Sequence, residues 1–138
     1  MEKKIFKTLL LVCTSVFFLN IMSGFSFFDK KPWPVPDKDK NMVNPIKSEA
    51  GSIAEGKALW AKHCQSCHGK SGMGDGSKAA QLKTEPGDFS KAETQSQSDG
   101  SLFYKTSQGR DDMPSFKKKI PDADDIWNIV NFVRTLKK

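Results

Sequence analysis

An all-α domain is what this sequence predicts, and three stretches carry the prediction. Ser52-Ile53-Ala54-Glu55 is a capping-box pattern that starts a helix through Gly56, Leu59 and Trp60 toward Cys64. Ser98 or Asp99 can cap a second helix through Leu102, Phe103 and Tyr104, with Gly109 as its natural stop. Pro121-Asp122-Ala123-Asp124-Asp125 opens a third. Asp122 is its expected N-cap, and the acids suit the positive end of the helix dipole. Ile126, Ile129, Val130, Val133 and Leu136 then fall on one apolar stripe.

The chain of 138 residues is expected to hold one domain. It is 37% hydrophobic and 28% charged, as a soluble domain with a tail would be. The net charge is +6, but Glu2, Lys3, Lys4 and Lys7 account for +2 of it. From Phe27 onward 19 basic residues stand against 15 acidic ones. The longest basic run is Lys117-Lys118-Lys119, with no interleaved aromatics, so nucleic acid is not expected as a partner.

Residues 1–28 read as a leader. Lys3, Lys4 and Lys7 precede Thr8 to Phe28, which carries no charge. That run is long enough for an uncleaved membrane anchor. A cleaved secretory signal competes, with Gly24-Phe25-Ser26 as its small-x-small site. Lipidation at Cys13 is a third reading, weakened because Leu10-Leu11-Val12 puts no small residue before it. All three export the domain, with the cationic end left in the cytoplasm. The expected place is the periplasmic side of a bacterial cytoplasmic membrane, anchored, or the soluble periplasm after cleavage.

Residues 29–47 hold Pro32, Pro34, Pro36 and Pro45 and read as a semi-rigid, extended tether. Trp33 within it suits a membrane interface; packing of the segment on the domain or on a partner is the alternative. Residues 48–138 form the expected folded domain.

Within that domain Cys64-Gln65-Ser66-Cys67-His68 reads C-x-x-C-H, the attachment pattern of a c-type haem. Each thiol can form a thioether with one vinyl group, and the adjacent histidine can offer a nitrogen to iron. A structural zinc site normally takes four ligands. No second Cys pair exists, and His63 and His68 are the only histidines. Gly69, Gly72, Gly74 and Gly76 then form a turn-rich loop. It follows no strand and ends in no Gly-Lys-Ser/Thr, so it is not read as a phosphate loop. Ser77 to Leu82 is read as a short helix, and Phe89 to Gln97 as loop. No Ser/His/Asp set or paired catalytic carboxylates point to an independent enzyme.

The ordered set resembles a small monohaem class I cytochrome c, of the bacterial membrane-anchored or periplasmic kind. The resemblance runs from Ile53 to Leu136. It rests on Gly56 and Trp60 one turn apart, then C-x-x-C-H, then Gly109-x-x-x-Met113-Pro114, then the amphipathic last helix with Ile129 and Phe132. It implies three to four helices around one covalently bound haem c, with the N- and C-terminal helices crossing. It implies Cys64 and Cys67 as attachment residues, with His68 and Met113 as axial iron ligands. Met73 is too near His68 in sequence to reach the opposite ring face; Met42 lies in the tether, Met1 and Met22 in the leader, and His63 on the attachment side. Many relatives orient the ligand histidine with a proline carbonyl; here the first proline after His68 is the distant Pro86, and which carbonyl orients His68 stays open.

The implied function is single-electron transfer in a respiratory chain, with no small-molecule substrate. The implied partners are membrane redox complexes, a reductase as donor and an oxidase as acceptor. The alternatives are a fixed subunit of a larger membrane oxidoreductase and a haem-based sensor or enzyme. Lys70, Lys78, Lys83, Lys105, Lys117, Lys118 and Lys119 flank the haem and Met segments and would present a cationic rim to an acidic partner.

Overall fold

The computed structural model describes residues 32–138. The leader and the first part of the proline-rich stretch, with their signal, anchor and lipidation readings, lie outside the described residues. Among the described residues six α-helices follow one another: α1 (Asp37–Lys40), α2 (Ala50–His63), α3 (Gln65–His68), α4 (Ala92–Gln95), α5 (Asp99–Gln108) and α6 (Ala123–Arg134). A 3-10 turn at Ala79–Gln81 replaces the short helix expected there. Among the described residues there is no strand; Arg110 and Met113 form one isolated antiparallel bridge. No helix of the described residues is long and apolar enough to cross a membrane.

Three helices, α2, α5 and α6, are longer than one turn, as an all-α small cytochrome c fold requires. α2 begins earlier than expected. Glu49 is the N-cap, and Ser52 sits inside the first turn, its hydroxyl accepting the Glu49 amide at 3.1 Å. The caps of α5 and α6 are the expected ones: Ser98 accepts the Ser101 amide, and Asp122 accepts the Asp124 amide. Each takes up a donor that the first helical turn leaves unpaired.

The N- and C-terminal long helices, α2 and α6, cross at Gly56. A Cβ there would overlap the Asn128 carbonyl and press on Phe132. Only a residue without a side chain lets the two backbones meet so closely. α6 supplies most of the core: Ile126, Trp127, Ile129, Val130, Phe132 and Val133 are all buried. They join Trp60 and Cys64 of the α2 segment, Leu102 of α5, and Phe116 and Ile120. Each fully buried large side chain contributes about 1.5–3 kcal/mol before ordering costs. Phe103 stacks on Trp127 at 4.2 Å between ring centroids, joining α5 to α6. Arg134 at the end of α6 reaches Asp99 and the carbonyls of Gln95 and Gln97.

The proline-rich stretch differs from the expected extended tether. From Pro34 on it belongs to the same compact unit as the rest of the domain. The Lys40 carbonyl accepts from the Ser98 hydroxyl at 2.6 Å. Asn44 donates to the buried Asn131 side chain at 2.9 Å, and Asn131 donates back to the Ile46 carbonyl at 3.1 Å. Ile46 packs against the core. Proline content favours an extended backbone, but a buried asparagine needs partners, and this segment supplies them.

Candidate functional site

The site begins where α2 ends. Cys64 caps α2, its amide bonded to the Trp60 carbonyl at 2.8 Å, and the Cys64 carbonyl accepts from Cys67 and His68 at 3.1 and 3.0 Å. The chain thus turns once more as α3, which places Cys64, Cys67 and His68 on one tight coil. Both cysteines are free thiols; Cys64 is buried and Cys67 half-buried. Burial, and secondarily Cys67, push the Cys64 thiol up to about 12, so it stays protonated.

The glycine loop wraps this coil from outside. Gly74 donates to the His68 carbonyl at 2.9 Å, Gly76 to Cys67 at 3.2 Å and Lys78 to Ser66 at 2.8 Å. A side chain at Gly76 would overlap the Ser66 and Cys67 carbonyls. The glycines that superficially suggested phosphate binding are there for close approach to the C-x-x-C-H backbone.

Two aromatics frame His68. Trp60 lies 5.6 Å away between ring centroids, tilted, and its indole N–H donates to the buried Gly69 carbonyl at 3.0 Å. Phe89 meets His68 edge-on at 4.8 Å. Phe89 lies in a stretch read as polar loop, and nothing in its immediate sequence marks it for this role. Burial lowers the His68 pKa to about 4, a shift that the nearby Pro86 carbonyl partly opposes. The imidazole is therefore neutral at pH 7, with a lone pair to give. Its Nδ1 is enclosed and makes no hydrogen bond of good geometry, although the Pro86 carbonyl approaches the ring. Pro86, distant in sequence, is thus brought to His68 by the loop.

Met113 stands on a separate turn. α5 stops at Gly109, whose φ is +69°, and the chain doubles back so that Pro114 and Ser115 lie against that glycine. Arg110 and Met113 exchange two backbone hydrogen bonds of 2.8 and 2.9 Å. Asp111 between them takes a left-handed φ of 51°, uncommon for a residue with a side chain. Ser115 and Phe116 fasten the far side to the Ser107 carbonyl at 2.8 and 3.2 Å. Met113 is half-buried and packs against the core cluster that contains Trp60 and Cys64. The other described methionines are placed differently: Met42 and Met73 are exposed, and Met73 accepts from the Lys138 ammonium at 3.4 Å. His63 lies at the outer end of α2, edge-on to Phe116 at 6.0 Å.

The donor chemistry fits a covalent haem: two cysteine side chains on one coil, a neutral imidazole beside them, and a thioether held by a fastened turn on the same core. The family model described as cytochrome c oxidase, cbb3-type, subunit III, matches residues 51–133. The chain belongs to this family. It is a monohaem c-type cytochrome, and its cofactor is one covalently bound haem c. Among solved structures it resembles a chain of a Kuenenia stuttgartiensis reducing HAO-like protein complex, with 24% identity and a TM-score of 0.60. The match covers 80% of this chain and 53% of the other, so the cytochrome spans about half that chain's length. This likeness shows the fold. No curated protein matches the chain.

Of the lysines expected to rim the site, Lys70, Lys78, Lys83, Lys117, Lys118 and Lys119 are exposed. Lys105 is drawn in instead, bonded to the Gln97 side chain, and desolvation lowers its pKa.

Proposed function

We propose that this cytochrome carries single electrons in a respiratory chain, with His68 and Met113 as the two axial ligands of the haem iron. The observation that supports this most is the Met113 turn. It is fastened on both sides and sets a thioether against the core that also holds the C-x-x-C-H coil. Cys64 and Cys67 would carry the thioether links. Trp60 and Phe89 would hold the His68 ring, and the Pro86 carbonyl, which approaches that ring, would serve as its acceptor. The bound haem supplies a reversible one-electron couple. A thioether opposite the imidazole raises its potential relative to two imidazoles. With both axial places filled by side chains, no position would remain for oxygen or substrate, and the protein would act as a carrier rather than an enzyme.

The remaining parts of the reading belong together. Residues 1–28 would export the domain, as an anchor or a cleaved signal, to the outer face of a bacterial cytoplasmic membrane. The haem domain would take in residues 34–47 together with 48–138, and the residues before them would link it to the leader. Its partners would be membrane redox complexes. A fixed place in a larger oxidoreductase is the second reading. It is favoured by the family's description as an oxidase subunit and by a structural neighbour drawn from a multi-protein complex. Co-purification from membranes separates the two.

Carbon monoxide tests the closed coordination. The reduced holoprotein is expected to leave its spectrum unchanged under the gas. Rapid formation of a carbonyl spectrum in the parent protein would indicate an open iron and favour a sensor or enzyme.

A further inference from the structure

The Met113 turn is short, strained at Asp111 and followed by Pro114, which has no amide to donate. Its neighbour Asp112 reaches across to a loop nearly thirty residues earlier in the chain. One carboxylate oxygen accepts the backbone N–H of Lys83 at 2.7 Å and that of Thr84 at 3.1 Å. These two amides lie just past the 3-10 turn, on the loop that continues to Pro86, whose carbonyl approaches His68. A single side chain therefore joins the turn bearing Met113 to the loop facing His68.

We propose that Asp112 is a positioning residue, bracing the Met113 turn against the Lys83–Pro86 loop so that the thioether stays on the iron. The inference rests on reading His68 and Met113 as axial ligands. Two amide donors on one charged acceptor form a fixed strut of the charge-assisted kind. The turn's other fastenings, its two backbone bonds and the bonds to the Ser107 carbonyl, do not reach the Lys83–Pro86 loop. The cost falls on keeping Met113 in place; Asp112 is exposed and is not part of the buried core cluster.

The test is competition for the ferric iron by added imidazole, followed in the haem spectrum of the holoprotein. Losing the strut in Asp112→Ala is expected to tighten imidazole binding at least about fivefold, the worth of one of its two hydrogen bonds. The thermal midpoint should stay near that of the parent. Asp112→Asn keeps an acceptor oxygen in place and should bind imidazole within about twofold of the parent. Amide exchange at Lys83 and Thr84 should be slow in the parent and fast in Asp112→Ala. Unchanged imidazole affinity in Asp112→Ala, or a lowered thermal midpoint with that affinity unchanged, would overturn the brace. So would Asp112→Asn behaving like the alanine variant. If Asp112→Ala does not mature, the parent decides: Lys83 and Thr84 amides exchanging as fast as an unfolded chain overturn the proposal. Met113→Ala separates the two readings. If it too leaves imidazole affinity unchanged, the ligand assignment fails and the brace falls with it; if it raises affinity while Asp112→Ala does not, only the brace fails.

Discussion

Trp60 touches the site in two ways: its ring frames His68, and its indole N–H holds the carbonyl of the very next residue, Gly69. The contact fixes the point at which the chain leaves the C-x-x-C-H coil. Trp60→Phe keeps an aromatic but leaves the buried Gly69 carbonyl with only the longer bond from the Gly72 amide at 3.3 Å, and is expected to cost about 0.5–1.5 kcal/mol. A denaturant titration of the holoprotein checks this; an unchanged midpoint would mean that the hydrogen bond is replaced by water. The importance of Trp60 was legible because its spacing from Gly56 and Cys64 is local. That of Phe89, Pro86 and Asp112 was not. Each is a single residue in a polar or irregular stretch, and its partner lies on another segment: Phe89 and Pro86 meet His68, and Asp112 meets Lys83 and Thr84. Periodicity says nothing about which loop will fold onto which.

Among the elements, the crossing of α2 and α6 decides whether the domain can close. Gly56→Ala places a methyl group on the Asn128 carbonyl and against Phe132. Overpacking of this kind costs typically about 1–3 kcal/mol. The variant should unfold at lower denaturant than the parent or accumulate less haem-loaded protein; parent-like stability would mean that the helices part without penalty. The three long helices were legible from their caps and apolar stripes, because both signals lie within the element. The start of α2 shifted from Ser52 to Glu49, since the serine hydroxyl serves the first turn from inside it. The docked course of residues 34–47 was only the alternative reading, for a different reason. Prolines announce an extended backbone, whereas the docking depends on Asn44 and Asn131, which only the fold brings together.

At the scale of the molecule, every long helix contributes to one apolar cluster, and the C-x-x-C-H coil and the Met113 turn are both set against it. A core of this size is marginal without support, and a covalent haem would add apolar surface to it. The account turns on Met113 filling the place opposite His68. The most direct measurement is the far-red absorption of the ferric holoprotein, compared with that of Met113→Ala. The parent is expected to show a weak band from thioether sulfur on low-spin iron, and the variant to lose it while keeping its covalent haem. A parent without that band, or a variant that retains it, would contradict the assignment.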